Sequence, residues 1–257
     1  MTELLLSTGA SGETVMMREY LNQLEAAGIP YIINKIDDFK AIDTLGASLD
    51  HMEKVIEQNP AENYVFSDAF DVLFFGRKEE IIKKILPFQV LMAAERNCYP
   101  DQTLKDKISG LTPWKYANCG LLAGKKESFK RWIDIIRAHP LYRHSICNQT
   151  FFNLCSYLGK HVNSVLDTRT ELFYCLYKDE GELDFENGIP VNTLTGTHPQ
   201  FLHFNGKCPQ APTRAKLRKS MGIQEVKEEL YEVYVPLQLK IAVCSKCKDR
   251  LLAGENL

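Results

Sequence analysis

Hydrophobic residues along this chain follow two different spacings. Short apolar runs rich in β-branched and aromatic residues predict strands at residues 3–8, 29–34, 89–94 and 116–124, and a further strand that begins at Tyr64. Between these runs, the sequence is typical of amphipathic helices at residues 13–27, 45–58, 78–86, 126–138 and 148–158. Shorter strands are predicted at residues 164–167, 173–177 and 201–207.

The alternation of strands and helices predicts an α/β fold, with a mainly parallel sheet covered by helices on both faces. At 257 residues the chain is long enough for one sizeable domain and a small appendage. We place the domain at residues 1–207. The remaining residues, 208–257, begin with a basic, proline-containing stretch, and we expect a loop, a charged helix and an edge strand packed on the domain.

Two carboxylates interrupt the apolar run that begins at Tyr64. Asp68 and Asp71 lie three residues apart, and the apolar pattern resumes directly after them. Burying a carboxylate without a partner costs several kcal/mol, so a buried strand that ends in this way favours a bound cation. Oxygen ligands with open positions suit Mn²⁺ or Mg²⁺. The alternative is a strand end whose acids are solvated or cap the next turn.

Composition and charge add few constraints. Hydrophobic residues make up 45% of the chain and charged residues 25%, as in ordinary soluble proteins. The formal net charge of -2 argues against broad nucleic-acid binding. The first strand follows Met1 almost directly, without a basic region or a long apolar segment, and no run approaches the roughly 18 apolar residues of a membrane span. We therefore expect a cytoplasmic protein.

Eight cysteines are scattered without the spacing of a disulfide framework, and free thiols are expected. Cys244 and Cys247 form a CxxC pair, but no second pair accompanies them. Two ordinary thiols are favoured there over a zinc or redox site.

Four segments, taken in order, resemble the glycosyltransferase domain of the procollagen lysyl hydroxylases and, more distantly, the procollagen galactosyltransferases. They are VFSDAFDVLF (65–74), AAERNCYPD (93–101), YANCGLLAG (116–124) and LHFNGK (202–207). The likeness covers roughly residues 3 to 207. It implies a GT-A fold, in which a Rossmann-like half binds a UDP-sugar and a Mn²⁺ ion (or Mg²⁺) bridges protein and diphosphate.

The resemblance also implies roles for individual residues. Asp68, Asp71 and His203 match the metal ligands of the family. The alternative for His203 alone is a buried histidine satisfied by the backbone. Residues matched to the nucleotide and diphosphate site are Ser7, Thr8, Phe70, Asn205, Gly206 and Lys207. Tyr99, in place of a tryptophan, keeps an aromatic surface for a sugar. With Asp101 and Asn118, it is expected to face the sugar or the acceptor.

The chain departs from the family where an acidic run is expected. Cys147, Asn148 and Gln149 stand there, and we assign Asn148 and Gln149 to the catalytic site together with Glu95. An amide binds a sugar hydroxyl but cannot act as a general base. An inverting reaction would need another base, with Glu95, Asp101 and Asp167 as candidates. A retaining reaction, in which the leaving phosphate accepts the proton, is easier to reconcile with Asn148.

The favoured function is transfer of a hexose from a UDP-sugar to a hydroxyl by a metal-dependent enzyme. Because a secretory signal is not apparent, we expect a bacterial or viral relative acting on a glycan or a protein. One alternative acceptor is a hydroxymethylated pyrimidine in DNA, with phosphates contacted by Arg214, Lys216, Arg218 and Lys219. A second alternative is a nucleotide-sugar-binding protein without catalytic activity.

Overall fold

A computed structural model describes residues 2–10, 15–35, 44–160 and 162–206. In these ranges the chain forms a mixed α/β structure. The helices are α1 (Val15–Ala26), α2 (Leu45–Gln58), α3 (Lys78–Lys84), α4 (Lys126–Arg137) and α5 (Asn148–Tyr157), and a 3₁₀ turn covers Gln102–Leu104. The strands are β1 (Thr2–Ala10), β2 (Tyr31–Lys35), β3 (Ala61–Ser67), β4 (Val72–Phe74), β5 (Val90–Glu95), β6 (Tyr116–Lys125), β7 (Ser164–Asp167), β8 (Phe173–Cys175), β9 (Leu183–Glu186), β10 (Ile189–Asn192) and β11 (Phe201–His203).

Six strands form the main sheet, in the order β2-β1-β3-β6-β5-β7. Strand β6 is antiparallel to both of its neighbours, and the other five strands run in one direction. The prediction of a mainly parallel sheet is therefore confirmed. Since β1, β3 and β5 are parallel, their carboxyl ends meet at one edge, where Thr8, Ser67 and Glu95 are found.

Both faces of the main sheet are covered, as its strand sequences require. On β3, Tyr64 and Phe66 pack into the large cluster built with α2, α4 and α5, while Val65 points to the opposite face. That second face contacts α1 and α3, through residues such as Tyr20 and Ile81. The three consecutive apolar residues at 64–66 of β3 therefore reflect a strand segment buried on both sides.

A second sheet lies beside the first and is formed by β4, β11 and β8 in that order. Strand β11 is antiparallel to β4 and parallel to β8. A separate hairpin pairs β9 with β10 around Asn187 and Gly188, which have φ angles of 52° and 80°. Two consecutive positive φ angles are typical of the tight turn that Asn-Gly favours.

Local signals explain where the helices begin and end. Thr44 caps α2, because its hydroxyl accepts a hydrogen bond from the backbone N–H of Ala47 at 3.4 Å. Gly28, with a φ of 63°, ends the turn after α1 and supplies a backbone conformation that other residues rarely adopt.

Among the described residues, no helix has the length and apolar character needed to span a membrane.

The structure corrects several predicted boundaries and adds elements. The run beginning at Tyr64 is two strands in different sheets, because β3 ends at Ser67 and β4 begins at Val72. The late strand predicted at residues 201–207 ends at His203, and the strand predicted at residues 173–177 ends at Cys175. The β9–β10 hairpin and the 3₁₀ turn were not predicted. The predicted appendage, residues 208–257, lies outside the described residues, as do both cysteines of the CxxC pair.

Candidate active site

The segment that carries Asp68 and Asp71 connects the two sheets. Its start is held by the main sheet, since the backbone N–H of Asp68 donates to the carbonyl of Gly120 at 2.8 Å. Its end is held by the second sheet, since the backbone N–H of Phe204 donates to the carbonyl of Asp71 at 2.7 Å. Both carboxylates are thus placed by backbone hydrogen bonds from separate parts of the fold.

His203 completes a cluster with these two carboxylates. Its Nε2 lies 3.3 Å from Oδ2 of Asp68 and 3.3 Å from Oδ2 of Asp71. The three ligand atoms lie within 4.8 Å of one another. The His203 side chain is 2% exposed and that of Asp68 is 55% exposed, so one side of the cluster opens to solvent. The structure therefore brings the predicted metal ligands together and leaves room for a further ligand.

The electrostatics of His203 reflect this arrangement. Burial alone would lower the pKa of His203, but the carboxylates of Asp71 and Asp68 raise the pKa well above its ordinary value of 6.5. In the part of the chain that the structure describes, Nε2 is nevertheless a buried atom without a hydrogen-bond partner. Such atoms are rare in folded proteins, and one that faces two carboxylates is suited to a cation.

Gly120 supplies the space around these groups. A Cβ atom at this position would lie 2.4 Å from Oδ2 of Asp68 and 2.4 Å from Cε1 of His203. The absence of a side chain lets the carboxylate and the imidazole approach the backbone of β6. Two carboxylate oxygens, one imidazole nitrogen and an open side fit a divalent cation such as Mn²⁺.

A second cluster surrounds the carboxylate of Glu95 at the end of β5. Its Oε1 accepts hydrogen bonds from the amide groups of Asn118 at 3.1 Å and Gln149 at 2.7 Å. Its Oε2 accepts one from the amide of Asn205 at 2.9 Å. Four residues predicted to act in the site from separate segments of the sequence are therefore in direct contact.

The Glu95 cluster is buried and adjoins the metal-ligand cluster. Glu95 is 2% exposed, and burial raises its pKa to about 7, although the hydrogen bonds from Asn118, Gln149 and Asn205 oppose this shift. Asn118 accepts a hydrogen bond from the backbone N–H of Gly120 at 3.0 Å. A short path through Asn118 and Gly120 therefore connects Glu95 to Asp68.

The residues predicted to hold the nucleotide have partners within the protein. Ser7 and Thr8 are each 1% exposed, and Ser7 accepts a hydrogen bond from Asn34 at 2.8 Å while Thr8 donates to the carbonyl of Ser67 at 2.9 Å. Phe70 is half-buried against a small cluster that contains Ala10 and Met17. These contacts place all three residues at the carboxyl edge of β1 and β3.

The turn after β11 is shaped by its contacts with the segment after β8. Asn205 accepts a hydrogen bond from the backbone N–H of Tyr177 at 3.1 Å. Gly206 has a φ of 75°, and a Cβ there would lie 2.9 Å from the Tyr177 ring. Both features require glycine at this position. The predicted diphosphate residue Lys207 lies outside the described residues.

Three other predicted site residues, Asn148, Asp101 and Tyr99, have different surroundings. The amide of Asn148 donates to the Ser48 hydroxyl of α2 at 3.3 Å. Asp101 accepts hydrogen bonds from the backbone and hydroxyl of Thr103, at 3.0 and 2.7 Å, and so caps the 3₁₀ turn. Tyr99 is 42% exposed at the surface.

Asp167, one of the three predicted base candidates, has a different role. Its carboxylate accepts backbone hydrogen bonds from Glu171, Leu172 and Phe173 at 2.8, 2.8 and 2.9 Å. It is 4% exposed. These contacts hold the start of β8, and the carboxylate is not directed into the metal-ligand cluster.

Sequence reasoning missed two residues that contact the site. The thiol of Cys175 lies 3.7 Å from Nδ1 of His203. Asn153 of α5 accepts a hydrogen bond from the backbone N–H of Ala117 at 2.9 Å and donates to the carbonyl of Tyr99 at 3.1 Å. A buried asparagine within an apolar helix was the available signal for Asn153, because such a residue requires polar partners.

A known protein family matches most of this chain. A family model described as PLOD GT domain covers residues 37–213. The matched range contains both aspartates of the metal-ligand cluster, His203, and the four residues of the Glu95 cluster.

Two curated relatives are similar over about half of the chain. Uncharacterized protein R699 of Acanthamoeba polyphaga mimivirus is 27% identical over 150 residues, which cover 55% of this chain and 31% of that protein. Procollagen-lysine,2-oxoglutarate 5-dioxygenase 2 of Homo sapiens is 29% identical over 152 residues, which cover 55% of this chain and 20% of that protein. The chain thus spans less than a third of the length of either relative.

A solved structure described as a glycosyltransferase involved in the glycosylation of the major capsid of PBCV-1 is also similar. The match has a TM-score of 0.49 and 12% sequence identity, and it covers 86% of this chain and 99% of that chain. The family match, which covers more than half of the chain, is the finding that decides its classification. This chain belongs to the family of PLOD GT domains, which are glycosyltransferase domains.

Proposed function

We propose that this protein is a metal-dependent glycosyltransferase that transfers a hexose from a UDP-sugar to an acceptor hydroxyl. The observation that carries the proposal is the cluster of Asp68, Asp71 and His203, in which the buried Nε2 of His203 lies 3.3 Å from a carboxylate oxygen of each aspartate. Membership in a glycosyltransferase family supports the reaction class. The choice of UDP and of a hexose rests on the resemblance in the sequence.

Asp68, Asp71 and His203 would hold Mn²⁺ or Mg²⁺ beside the diphosphate of the donor. When bound, the cation supplies positive charge that stabilises the diphosphate as it leaves. The exposed side of the Asp68 carboxylate provides the approach for the donor. Ser7, Thr8 and Phe70 would line the nucleotide site, since they lie at the carboxyl edge of the adjacent strands β1 and β3 or directly beyond it.

We assign Glu95 a positioning role. Both of its carboxylate oxygens accept hydrogen bonds from side-chain amides, and the carboxyl group is almost fully buried. A general base must reach the proton that it removes, and burial keeps the carboxyl group of Glu95 away from an acceptor hydroxyl. Glu95 therefore fixes Asn118, Gln149 and Asn205 beside the cation site, where their amides can meet the donor.

This arrangement favours retention of configuration at the sugar. Asp101 caps a turn and Asp167 binds backbone amides, so the three base candidates all have structural hydrogen bonds. In the proposed step the bond between the anomeric carbon and the β-phosphate oxygen breaks. The acceptor oxygen forms its bond to the same face of that carbon, and the acceptor proton passes to the leaving phosphate oxygen.

The acceptor is proposed to be a hydroxyl on a glycan or a protein. The basic residues that motivated the DNA alternative, from Arg214 to Lys219, lie outside the described residues, and no described feature favours DNA as the acceptor.

The nonacidic pair Cys147 and Asn148 motivated the alternative of a binding protein without activity. The complete set of metal ligands argues against that alternative, because a binding protein without activity has no need of it.

The test is release of UDP from a panel of UDP-sugars, with Mn²⁺, Mg²⁺ or EDTA, by wild type and Asp71→Asn. We expect release from one hexose donor that requires the cation and falls at least 100-fold in the variant. Asp134→Asn, the same substitution on the exposed face of α4, should keep full activity. Adding glycan, peptide and hydroxymethylated DNA acceptors in turn would identify which hydroxyl accelerates release.

Two results would contradict the proposal. Binding of UDP and Mn²⁺ without release from any donor, with every acceptor present, would favour the binding protein. Release that continues in EDTA and in Asp71→Asn would remove the role of the metal-ligand cluster.

A further inference from the structure

The side of the His203 ring opposite the two aspartates faces a buried cysteine. Strands β8 and β11 are parallel neighbours, and their register pairs Cys175 with His203. The Cys175 thiol lies 3.7 Å from Nδ1 of the ring, and both side chains are buried. The second sheet therefore places the sulfur against one ring nitrogen while the other faces Asp68 and Asp71.

The two ring nitrogens have different requirements when a cation is bound. A neutral imidazole carries one proton, and a nitrogen that binds a metal must present its lone pair. With Nε2 as the ligand atom, the proton resides on Nδ1. A buried N–H without an acceptor is costly, so metal-binding histidines almost always donate the second N–H to a nearby group. Among the described residues, the hydrogen-bonding atom that faces Nδ1 is the sulfur of Cys175.

We propose that Cys175 is a positioning residue of the metal site, which accepts the Nδ1–H of His203 and so directs the Nε2 lone pair toward the cation. This inference rests on the proposed function, in which His203 is a ligand. Sulfur is a weaker acceptor than the carboxylates and carbonyls that usually serve this purpose. Cys175 therefore orients the ring without adding a further negative charge to a site that already holds two.

Substitutions at Cys175 separate this role from simple packing. Cys175→Val fills the space of the thiol and removes the acceptor. Cys175→Ser keeps an acceptor but places a polar hydroxyl among apolar neighbours. A packing role makes valine the better replacement, and a hydrogen-bonding role makes serine the better one. Cys175→Ala removes the acceptor without added volume and serves as the second variant if the valine protein does not fold.

The experiment is a titration of the full-length, metal-free protein with Mn²⁺, with bound ion followed by electron paramagnetic resonance. We expect the dissociation constant to rise about 10-fold in Cys175→Val, within the range usual for loss of such a partner. Cys175→Ser should bind Mn²⁺ more tightly than Cys175→Val, although it unfolds at a lower temperature. Cys155→Val and Cys155→Ser are matched controls, since Cys155 is a buried cysteine in a different hydrophobic cluster. Both should bind Mn²⁺ as wild type does.

The outcomes distinguish failure of this inference from failure of the proposed function. If wild type binds Mn²⁺, Asp71→Asn does not, and Cys175→Val or Cys175→Ala binds as tightly as Cys175→Ser, the role of Cys175 is overturned and the metal site stands. If wild type and Asp71→Asn bind Mn²⁺ equally or not at all, the metal site itself is wrong, and the inference falls with it.

Discussion

Gly120→Ala should weaken metal binding at the cluster of Asp68, Asp71 and His203. An added Cβ would lie 2.4 Å from Oδ2 of Asp68 and from Cε1 of His203, and 3.1 Å from Oδ1 of Asn118. Ordinary contact for a Cβ begins at 3.4 Å. Two ligand side chains must therefore each move by about 1 Å, the difference between 3.4 and 2.4 Å.

A movement of this size is large for a metal site. Coordination distances tolerate changes of about 0.2 Å, so a ligand displaced by roughly 1 Å no longer binds in the same geometry. Disturbing even a residue that supports a ligand commonly costs about 10–100-fold in affinity. We expect the Mn²⁺ dissociation constant to rise at least about 10-fold, which corresponds to about 1.4 kcal/mol.

The assay is Mn²⁺ titration of wild type, Gly120→Ala and Gly124→Ala, with unfolding by urea measured in parallel. Gly124 lies on the same strand, and a Cβ there would meet the ring of Phe129 at 3.1 Å rather than a metal ligand. Gly124→Ala should therefore change stability but not metal affinity. Unchanged Mn²⁺ binding in a folded Gly120→Ala protein would refute the assignment of this space to the metal site.

Three further predictions concern charge. Burial raises the pKa of Glu95 from 4.5 to about 7. The free energy of unfolding should therefore be highest below pH 4.5 and fall by about 3 kcal/mol as the pH rises to about 7. Glu95→Gln should remove this pH dependence from urea unfolding measured across that range. A flat difference between wild type and variant would contradict it. Nearby carboxylates raise the pKa of His203 above 6.5 in the metal-free protein, so Mn²⁺ must displace a proton when it binds. Calorimetry near pH 7 should detect this proton release, and the affinity for Mn²⁺ should increase as the pH rises. Identical affinity at pH 6 and pH 8 would exclude proton displacement from His203. The guanidinium of Arg96 is 9% exposed, lies 4.4 Å from the centre of the Trp114 ring and forms an ion pair with Glu182. Glu182→Gln removes that ion pair and should lower the free energy of unfolding by about 3 kcal/mol. A loss no larger than that of the exposed variant Glu186→Gln would refute this prediction.

The three proposed metal ligands could be predicted because each has a local signal. Asp68 and Asp71 interrupt an apolar strand, and His203 lies in a segment that resembles a known motif. The sheet order could not be predicted in the same way. The position of β6 between β3 and β5 depends on packing between segments distant in sequence, and the antiparallel direction of β6 leaves no mark on its residues.

The Glu95 cluster shows the same limit. Each of its residues was expected in the site, but their mutual hydrogen bonds arise from four separate elements that converge only in the folded chain. Cys175 had no signal, because a cysteine in a short apolar strand is indistinguishable from any small buried residue. The missed hairpin did have one. Asn187 and Gly188 form the dipeptide that most strongly favours a two-residue turn.

The position of the proposed metal ligands on two sheets has a consequence for how the protein folds. Asp68 follows a strand of the main sheet, while His203 ends a strand of the second sheet, 135 residues later (203 minus 68). Contacts between such distant positions form late, because the intervening chain must first be ordered. A cation that joins them would act as a cross-link between the sheets. It should therefore slow unfolding of the second sheet and protect the amides of β8 and β11 from hydrogen exchange, so that occupancy of the site would govern the lifetime of the folded domain as well as its chemistry.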